Sequence, residues 1–210
     1  MTLMQAKKEI EYMLSLVKEN IQLSFISIEG NSTENASVIA SNENIIDFTN
    51  GALTKFLIKL SACVDESNEK IIGTYFHVLN DLERIGDHAE NFHEIGEEMS
   101  NKGFKFSETA QRDIKIMHQK ITKMLTIANE AFDSLDAKHL PKLDSLENEV
   151  DIMKKELISK HFSRLSEGKC QIDVSPYYSS TILGLERVAD HIVNIGYSIL
   201  NPIGSQKNVE

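Results

Sequence analysis

The sequence predicts an all-α protein built from two tandem antiparallel three-helix bundles. Apolar residues recur at spacings of three and four along six long segments, and no segment alternates convincingly at period two. The 210 residues are 41% hydrophobic and include only three prolines and ten glycines, which are too few for a turn-rich all-β protein. Long helices joined by short connections favour antiparallel neighbours in a bundle.

Three helices are predicted in the first half of the chain, over about 3–28, 33–63 and 69–100. The apolar residues of the first helix lie on one face, as a helix that packs on a core requires. The segment 29–32 predicts the end of that helix and the cap of the next, and the segment 65–68 predicts a turn. Asn101-Lys102-Gly103 is expected to end the third helix.

Three more helices are predicted in the second half. Ser107 is expected to begin the fourth helix, which reaches about residue 135, and Pro141 lies near the start of the fifth, where proline is favoured. The fifth helix ends before Gly168, and a loop follows over 167–174. Ser175 is predicted to cap the sixth helix, with Pro176 in its first turn, and this helix reaches about residue 200.

The two halves are related by an internal repeat. The heptapeptide Leu82–His88 returns as Leu185–His191 with five identities, and the two changes, Ile to Val and Gly to Ala, keep their character. The offset is 104 residues over the first two helices, as from Glu43 to Glu147, and 103 over the third. We therefore expect one three-helix repeat over 1–103, a second over 104–202 and a flexible tail over 203–210. A period this long indicates two bundles rather than a solenoid.

Four Glu-x-x-x-Asp pairs occur at matching positions, one on the second and one on the third helix of each half. Residues four apart share a helix face, and two like charges there destabilise a helix by about 0.2–0.5 kcal/mol. If the second and third helices are antiparallel neighbours, four carboxylates converge in each half. The sequence therefore predicts a cation site in each half, with these candidate metal ligands: Glu43, Asp47, Glu83, Asp87, Glu147, Asp151, Glu186 and Asp190.

Two simpler interpretations of the acidic pairs remain open. A single Glu-x-x-x-Asp in an acidic helical protein is most often a solvated face. Alternatively, Arg84 neutralises Asp87 three residues later, and Arg187 does the same for Asp190. The second-helix pairs have no arginine three or four residues away, so local arginines do not account for them.

The residues beside the acidic motifs bear on which cation would bind. Clusters of oxygen ligands suit Mg²⁺, Ca²⁺, Mn²⁺ or iron, and imidazole shifts the preference towards iron or zinc. His88 and His191 directly follow the motif aspartates, and they are either outer or bridging ligands or histidines hydrogen-bonded to a neighbouring helix. Asn91 and Asn194 lie four residues after the aspartates, and their amides either add ligands or form structural hydrogen bonds.

Charge and motif content separate the classes of function. The net charge of −10 argues against non-specific nucleic-acid binding and favours cations or basic partners, so a metal-free acidic adaptor for a basic protein is the main alternative. A di-iron carboxylate enzyme would use Glu-x-x-His on two helices. Here Glu90-x-x-His93 occurs once, and its repeat counterpart ends in Gly196. Nucleophile–base pairs, phosphate-binding glycine loops and CxxC spacings are absent from the sequence, which predicts a protein that is not an enzyme.

The two cysteines fit a reducing compartment. The sequence shows neither a signal peptide nor a stretch of about 20 apolar residues. We therefore expect a cytoplasmic protein without a transmembrane segment.

The segment Leu82–Asn91 resembles the signature of the PhoU family, and the resemblance extends over nearly the whole chain. Residues 164–170, followed by Leu185–His191, resemble more closely the PhoU-like C-terminal domain of bacterial Na⁺/phosphate cotransporter proteins. Two departures from the family pattern affect the ligand set. The second-helix motifs are only loosely spaced relatives of the family's, and Gly196 stands where the first half has His93.

This resemblance implies two three-helix repeats with multinuclear iron or zinc sites, held by the four acidic pairs and more weakly by Asn91 and Asn194. It also implies a non-enzymatic, often dimeric regulator of phosphate uptake. Such a regulator acts on the membrane domain of a phosphate transporter or on a phosphate-signalling protein. In the cotransporter branch, the chain would lie at the inner face of the membrane, either as an excised domain or as a free-standing relative.

Overall fold

The structure is a computed structural model that describes residues 1–30 and 32–202. Within these residues it contains six α-helices, two short 3₁₀ turns and no β-strand. The helices are α1 (Leu3–Gly30), α2 (Ala36–Ser61), α3 (Glu66–Lys102), α4 (Glu108–Ser134), α5 (Leu140–Ser166) and α6 (Ser175–Leu200). The predicted fold class is confirmed, and the tail predicted over 203–210 lies outside the described residues.

The six helices pack as two three-helix bundles that share one hydrophobic core. In the first bundle, α1 packs along α3, and α2 packs against both. In the second bundle, α6 packs against α4 and α5. The α3–α6 contact and a smaller α1–α4 contact join the bundles, and the buried apolar side chains form one cluster with members from all six helices. The two motif helices, α3 and α6, therefore lie next to each other at the junction of the halves.

Side-chain and glycine caps fix several of the observed helix ends. Helix α3 begins at Glu66 rather than near residue 69, because an Asp65 carboxylate oxygen accepts a hydrogen bond of 2.9 Å from the backbone N–H of Asn68. Ser107 caps α4 as predicted, and Gly103 ends α3 in the left-handed conformation with φ of 67°. Helix α2 is shorter at both ends than its predicted range of 33–63.

The prediction for Ser175 was wrong. Ser175 is the first residue of α6 rather than its cap, because a 3₁₀ turn, Ile172–Val174, leads directly into the helix. Its hydroxyl instead lies 2.7 Å from Nε2 of His161, a buried residue of α5. Ser175 therefore contributes to packing between α5 and α6 rather than to a helix end.

The backbones of α1 and α3 approach each other closely at Gly96. A Cβ atom built on Gly96 would lie 2.7 Å from the carbonyl carbon of Ser27, a distance that real Cβ atoms do not adopt. One turn earlier on α3, Nδ1 of His93 lies 2.9 Å from the Ser27 hydroxyl oxygen. Gly96 therefore sets how closely α3 can pack on α1.

We predict that Gly96→Ala lowers the free energy of unfolding by about 1–2 kcal/mol, because overpacking against backbone outweighs the better helix propensity of alanine. Gly51→Ala is the matched control, since Gly51 is a helical glycine whose Cβ position has no atom within 4 Å. That control should gain about 0.5–1 kcal/mol. Urea denaturation of both variants measures the difference, and equal stabilisation of both would contradict the close α1–α3 packing.

Candidate functional site

The structure brings together four predicted site residues of the first half, which we name the first acidic cluster: Glu43 and Asp47 on α2, and Glu83 and Asp87 on α3. Burial, and then the negative charges of Asp47, Glu90, Asp87 and Glu83, together raise the pKa of the Glu43 carboxyl from 4.5 to about 7. Burial and Asp87 also raise the pKa of Glu83. The repulsion expected from the sequence therefore acts between the helices as well as within them.

Glu43 is the most constrained member of this cluster. Its side chain is only 8% exposed, and neither of its buried carboxylate oxygens has a hydrogen-bond partner among the described residues. It lies over Gly86 of α3, where a built Cβ would be 2.9 Å from Oε2 of Glu43. A glycine at this position therefore leaves the space that the carboxylate occupies. A negative charge on a carboxylate in such surroundings is unfavourable. Protonation removes that charge, and a bound cation would compensate it.

Arg84 neutralises part of the first acidic cluster from its exposed side. Its Nη1 lies 3.3 Å from Oδ2 of Asp87, and its Nε lies 3.6 Å from Oε2 of Glu83. The contact with Asp87 that the sequence suggested is thus confirmed. Among the described residues, the guanidinium forms no ion pair with Glu43, and the Arg84 side chain is 54% exposed, where ion pairs contribute little. Within residues 1–30 and 32–202, Arg84 is thus an exposed cation beside four carboxylates.

Glu90 is a member of this acidic face that the sequence analysis did not include among the ligands. It is an exposed residue three positions after Asp87, and its charge raises the pKa of Glu43. Its position on the same helix face as Asp87 could have indicated this role. From the sequence, Glu90 was considered only as part of the di-iron motif Glu90-x-x-His93. That di-iron motif is not assembled here, since His93 is buried against Ser27 of α1.

The equivalent carboxylates of the second half, which we name the second acidic cluster, are Glu147 and Asp151 on α5, and Glu186 and Asp190 on α6. Burial, then the charges of Glu186 and Glu147, raise the pKa of Asp190 to about 6. The predicted grouping is therefore present in this half as well.

Two lysines of α5 compensate the second acidic cluster. The Nζ atom of Lys154 lies 2.9 Å from Oδ1 of Asp151 and 2.5 Å from Oε1 of Glu186. Lys155 reaches the other Asp151 oxygen at 2.8 Å, and hydrogen bonds from Lys155 and Lys154 lower the pKa of Asp151. The sequence analysis considered only arginines near the motifs and missed these lysines, although they follow Asp151 by three and four residues.

The suggested neutralisation of Asp190 by Arg187 was wrong. Arg187 is exposed and forms no ion pair with Asp190 in the described part of the chain. It lines a surface groove of about 510 Å³ instead, together with His88 and Asn91. The positive charge at this cluster comes from Lys154 and Lys155 of α5.

The two motif histidines lie at the α3–α6 junction. Nδ1 of His191 lies 2.9 Å from Oδ1 of Asp81, which is 110 residues away in the sequence. The ring centroids of His88 and His191 are 6.0 Å apart, and burial, followed by His191 and Arg187, lowers the pKa of His88. For His191, the hydrogen bond to a neighbouring helix is thus the interpretation that the structure supports.

The predicted asparagine ligands are not joined to the clusters. Asn91 is exposed, Asn194 is half-buried, and neither forms a hydrogen bond with an acidic side chain in the described residues. Across residues 1–30 and 32–202, no group of three or more His, Cys, Asp or Glu side chains is placed so that it could hold a metal ion. The carboxylates are close, but a metal ion would require their side chains to turn towards it.

Among the described residues, no helix combines the length and the apolar character that crossing a bilayer requires.

Fold and site together define a class of protein, in which a duplicated three-helix unit places facing carboxylates on its second and third helices. The PhoU domain matches the sequence twice, over residues 10–95 and 114–199. The chain therefore belongs to the PhoU family.

Two curated relatives extend over most of the chain. It is 26% identical over 191 residues to the phosphate-specific transport system accessory protein PhoU homolog 1 of Thermotoga maritima, which covers 90% of this chain and 82% of the relative. It is 22% identical over 190 residues to the phosphate-specific transport system accessory protein PhoU homolog of Clostridium acetobutylicum, covering 89% and 85%.

Solved structures show the same fold. PhoU from Pseudomonas aeruginosa matches with a TM-score of 0.88 at 19% identity over 96% of both chains. The phosphate transport system regulatory protein PhoU from Streptococcus pneumoniae matches with a TM-score of 0.85 at 20% identity, over 95% of this chain and 94% of that one. The finer assignment to the cotransporter branch stays a prediction.

We predict that Glu43→Gln removes a pH dependence of stability measured without divalent cations. The pKa of Glu43 in the folded state, about 7, lies above its ordinary value of 4.5. The protonated carboxyl therefore adds its full contribution to the free energy of unfolding below pH 4.5, and this contribution is lost as the pH rises to 7. Relative to the variant, the wild type should therefore lose about 3 kcal/mol between pH 4.5 and pH 8. Urea denaturation with a chelator present measures both proteins, and parallel pH profiles would contradict the burial of this carboxyl.

Proposed function

We propose that this protein is a non-enzymatic regulator of phosphate uptake that binds a metal cation at the first acidic cluster. Membership of the PhoU family supports the link to phosphate, since relatives over most of the chain are named accessory proteins of phosphate-specific transport systems. The regulator would act on the membrane domain of a phosphate transporter or on a phosphate-signalling protein. Homodimer formation is part of the same expectation.

The observation that carries the metal proposal is the carboxylate of Glu43. Both of its oxygens are buried without a hydrogen-bond partner in the described residues, and four more carboxylates lie nearby on α2 and α3. A multivalent cation would offset the repulsion within and between the helices. Because its ligands come from both helices, it would also fix α2 against α3. The unpartnered oxygens fit such a ligand role.

The donor set favours hard cations. The cluster offers carboxylate oxygens only, and the two motif histidines lie at the α3–α6 junction with partners of their own. Oxygen ligands suit Mg²⁺, Mn²⁺, Ca²⁺ and iron, whereas protein zinc sites commonly use nitrogen or sulfur ligands. Of the two metals that the family resemblance implies, iron therefore fits this cluster better than zinc.

A specific observation also favours the metal-free adaptor. Arg84 pairs with two members of the first cluster, and Lys154 and Lys155 pair with members of the second, so protein cations already offset part of the acidic charge. In that case the acidic faces would bind a basic partner surface. Such binding would weaken steeply with salt and ignore chelators, whereas a metal-dependent interaction would be lost on chelation.

We predict that chelator-stripped protein takes up Mn²⁺ or Fe²⁺ and that the double variant Glu43→Gln, Asp87→Asn loses this uptake. The bound cation should raise the free energy of unfolding of the wild type by about 2.7 kcal/mol at a free concentration of 100 times the Kd. Elemental analysis after dialysis and thermal denaturation measure the two effects. Glu94→Gln with Glu97→Gln is the control, since both are exposed acids on the same helix. Uptake that survives in the cluster variant would refute the site.

We predict that deletion of the encoding gene changes phosphate uptake by cells and that the wild-type gene restores it. The Glu43→Gln, Asp87→Asn variant should fail to restore it at equal protein level, whereas the Glu94→Gln, Glu97→Gln control should succeed. Uptake of radiolabelled phosphate, measured in phosphate-rich and phosphate-poor media, gives the readout. Unchanged uptake after deletion in both media would contradict a regulatory role in phosphate transport.

A further inference from the structure

We propose that Lys154 occupies the second acidic cluster as a built-in counter-cation, so that only the first of the two duplicated clusters takes up metal. This inference rests on the proposed metal-binding function and assigns it to one half of the molecule. It departs from the two equivalent sites that the duplicated acidic pairs suggest.

The ammonium group of Lys154 bridges the helices that a metal in the second half would have to bridge. It contacts Asp151 on its own helix α5 at 2.9 Å and Glu186 on α6 at 2.5 Å. The side chain of Lys154 is 20% exposed and that of Glu186 is 19% exposed, so the contact is shielded from water more than a surface ion pair. The second cluster therefore has a positive charge between its two helices without any added ion.

The repeat shows that the first half lacks an equivalent group. At the offset of 104 residues, Lys154 corresponds to Asn50 and Lys155 to Gly51, and neither carries a charge. Asn50 instead accepts a hydrogen bond of 3.4 Å from the Thr54 hydroxyl on its own helix. The positive side chain at the first cluster is Arg84, which is 54% exposed and lies at the edge of the cluster.

The residue beneath the carboxylate also differs between the two halves, and this difference too disfavours a metal site in the second half. Gly86 leaves room for the buried carboxylate of Glu43, whereas the corresponding residue in the second heptapeptide is Ala189. A carboxylate placed over Ala189 as Glu43 lies over Gly86 would be about 2.9 Å from its Cβ, which is too close. The second half therefore differs at both the position of the lysine and the position under the carboxylate.

A metal ion entering the second cluster would have to displace a tethered ammonium and its charge-assisted hydrogen bonds. Hydrogen bonds to charged groups are strong enough that each one lost corresponds to roughly 10- to 100-fold in affinity. Because the lysine is part of the chain, it competes at a high effective concentration whatever the protein concentration. Metal should thus bind the first cluster well before the second.

The test is a Mn²⁺ titration of the full chain, with bound metal counted by electron paramagnetic resonance. Wild-type uptake should be lost in Glu43→Gln, Asp87→Asn and retained in Glu147→Gln, Asp190→Asn. Lys154→Met should gain a further class of Mn²⁺ sites that Glu147→Gln, Asp190→Asn removes again. Lys160→Met is the matched control and should bind as the wild type does, since Lys160 is an exposed lysine of α5 that pairs with Glu156, outside the second acidic cluster.

The reverse substitution tests the same idea in the first half. Asn50→Lys should reduce Mn²⁺ uptake at the first cluster, and it decides the question if Lys154→Met does not fold, as judged by circular dichroism. Uptake by Asn50→Lys equal to that of the wild type, or a folded Lys154→Met that gains no site, would overturn the inference. Wild-type uptake that depends on Glu147 and Asp190 would also overturn it.

The outcomes also separate this inference from the proposed function. If the wild type binds no Mn²⁺ but Lys154→Met does, the role of Lys154 is supported and the metal site at the first cluster is refuted.

Discussion

Burial of the Glu43 carboxylate is energetically unfavourable, because neither of its oxygens accepts a hydrogen bond from the described residues. The helix packing maintains this burial, since α2 packs against both α1 and α3 while Gly86 lets the side chain lie close to the α3 backbone. Four neighbouring carboxylates add repulsion. Uptake of a proton relieves that repulsion, and the proposed cation would do the same.

The two halves of the duplicated sequence differ in how the repulsion among their carboxylates is compensated. In the first half, an exposed arginine contacts two carboxylates at the edge, while Glu43 has no hydrogen-bond partner within the described part of the chain. In the second half, the ammonium of Lys154 lies between α5 and α6, and Lys155 adds a second contact to Asp151. A repeat with four acidic pairs thus has one half whose charge is partly compensated by lysine contacts, and one half whose most buried carboxylate, Glu43, has no hydrogen-bond partner among the described residues.

The sequence was enough to predict the helices and the acidic pairs, because both follow from local periodicity. Apolar spacing gave all six helices, and errors were confined to ends such as Ser175, where a short 3₁₀ turn and a bond to His161 replaced the expected cap. The grouping of carboxylates followed from assuming antiparallel neighbours. That assumption needs only the repeat and the short connections between helices.

What the sequence could not predict depends on contacts between distant elements. The partner of His191 is Asp81, 110 residues earlier, and no spacing rule indicates it. The burial of Glu43 depends on the orientation of α2 about its own axis relative to α3. Hydrophobic periodicity predicts which broad face of α2 is buried, but not this orientation. Lys154 was visible in the sequence three residues after Asp151, but its contact with Glu186 depends on the α5–α6 packing. Motif residues could therefore be predicted, whereas their charge partners could not.

The junction of α3 and α6 places one histidine, His191, near both acidic clusters. The two heptapeptides lie on these neighbouring helices, and His191 lies close enough to both clusters that its charge lowers the pKa of Glu83 and of Asp190. Asp81 holds that imidazole in place through the contact across the junction. The duplication thus places a single histidine beside the lysine-compensated cluster and beside the cluster that contains Glu43.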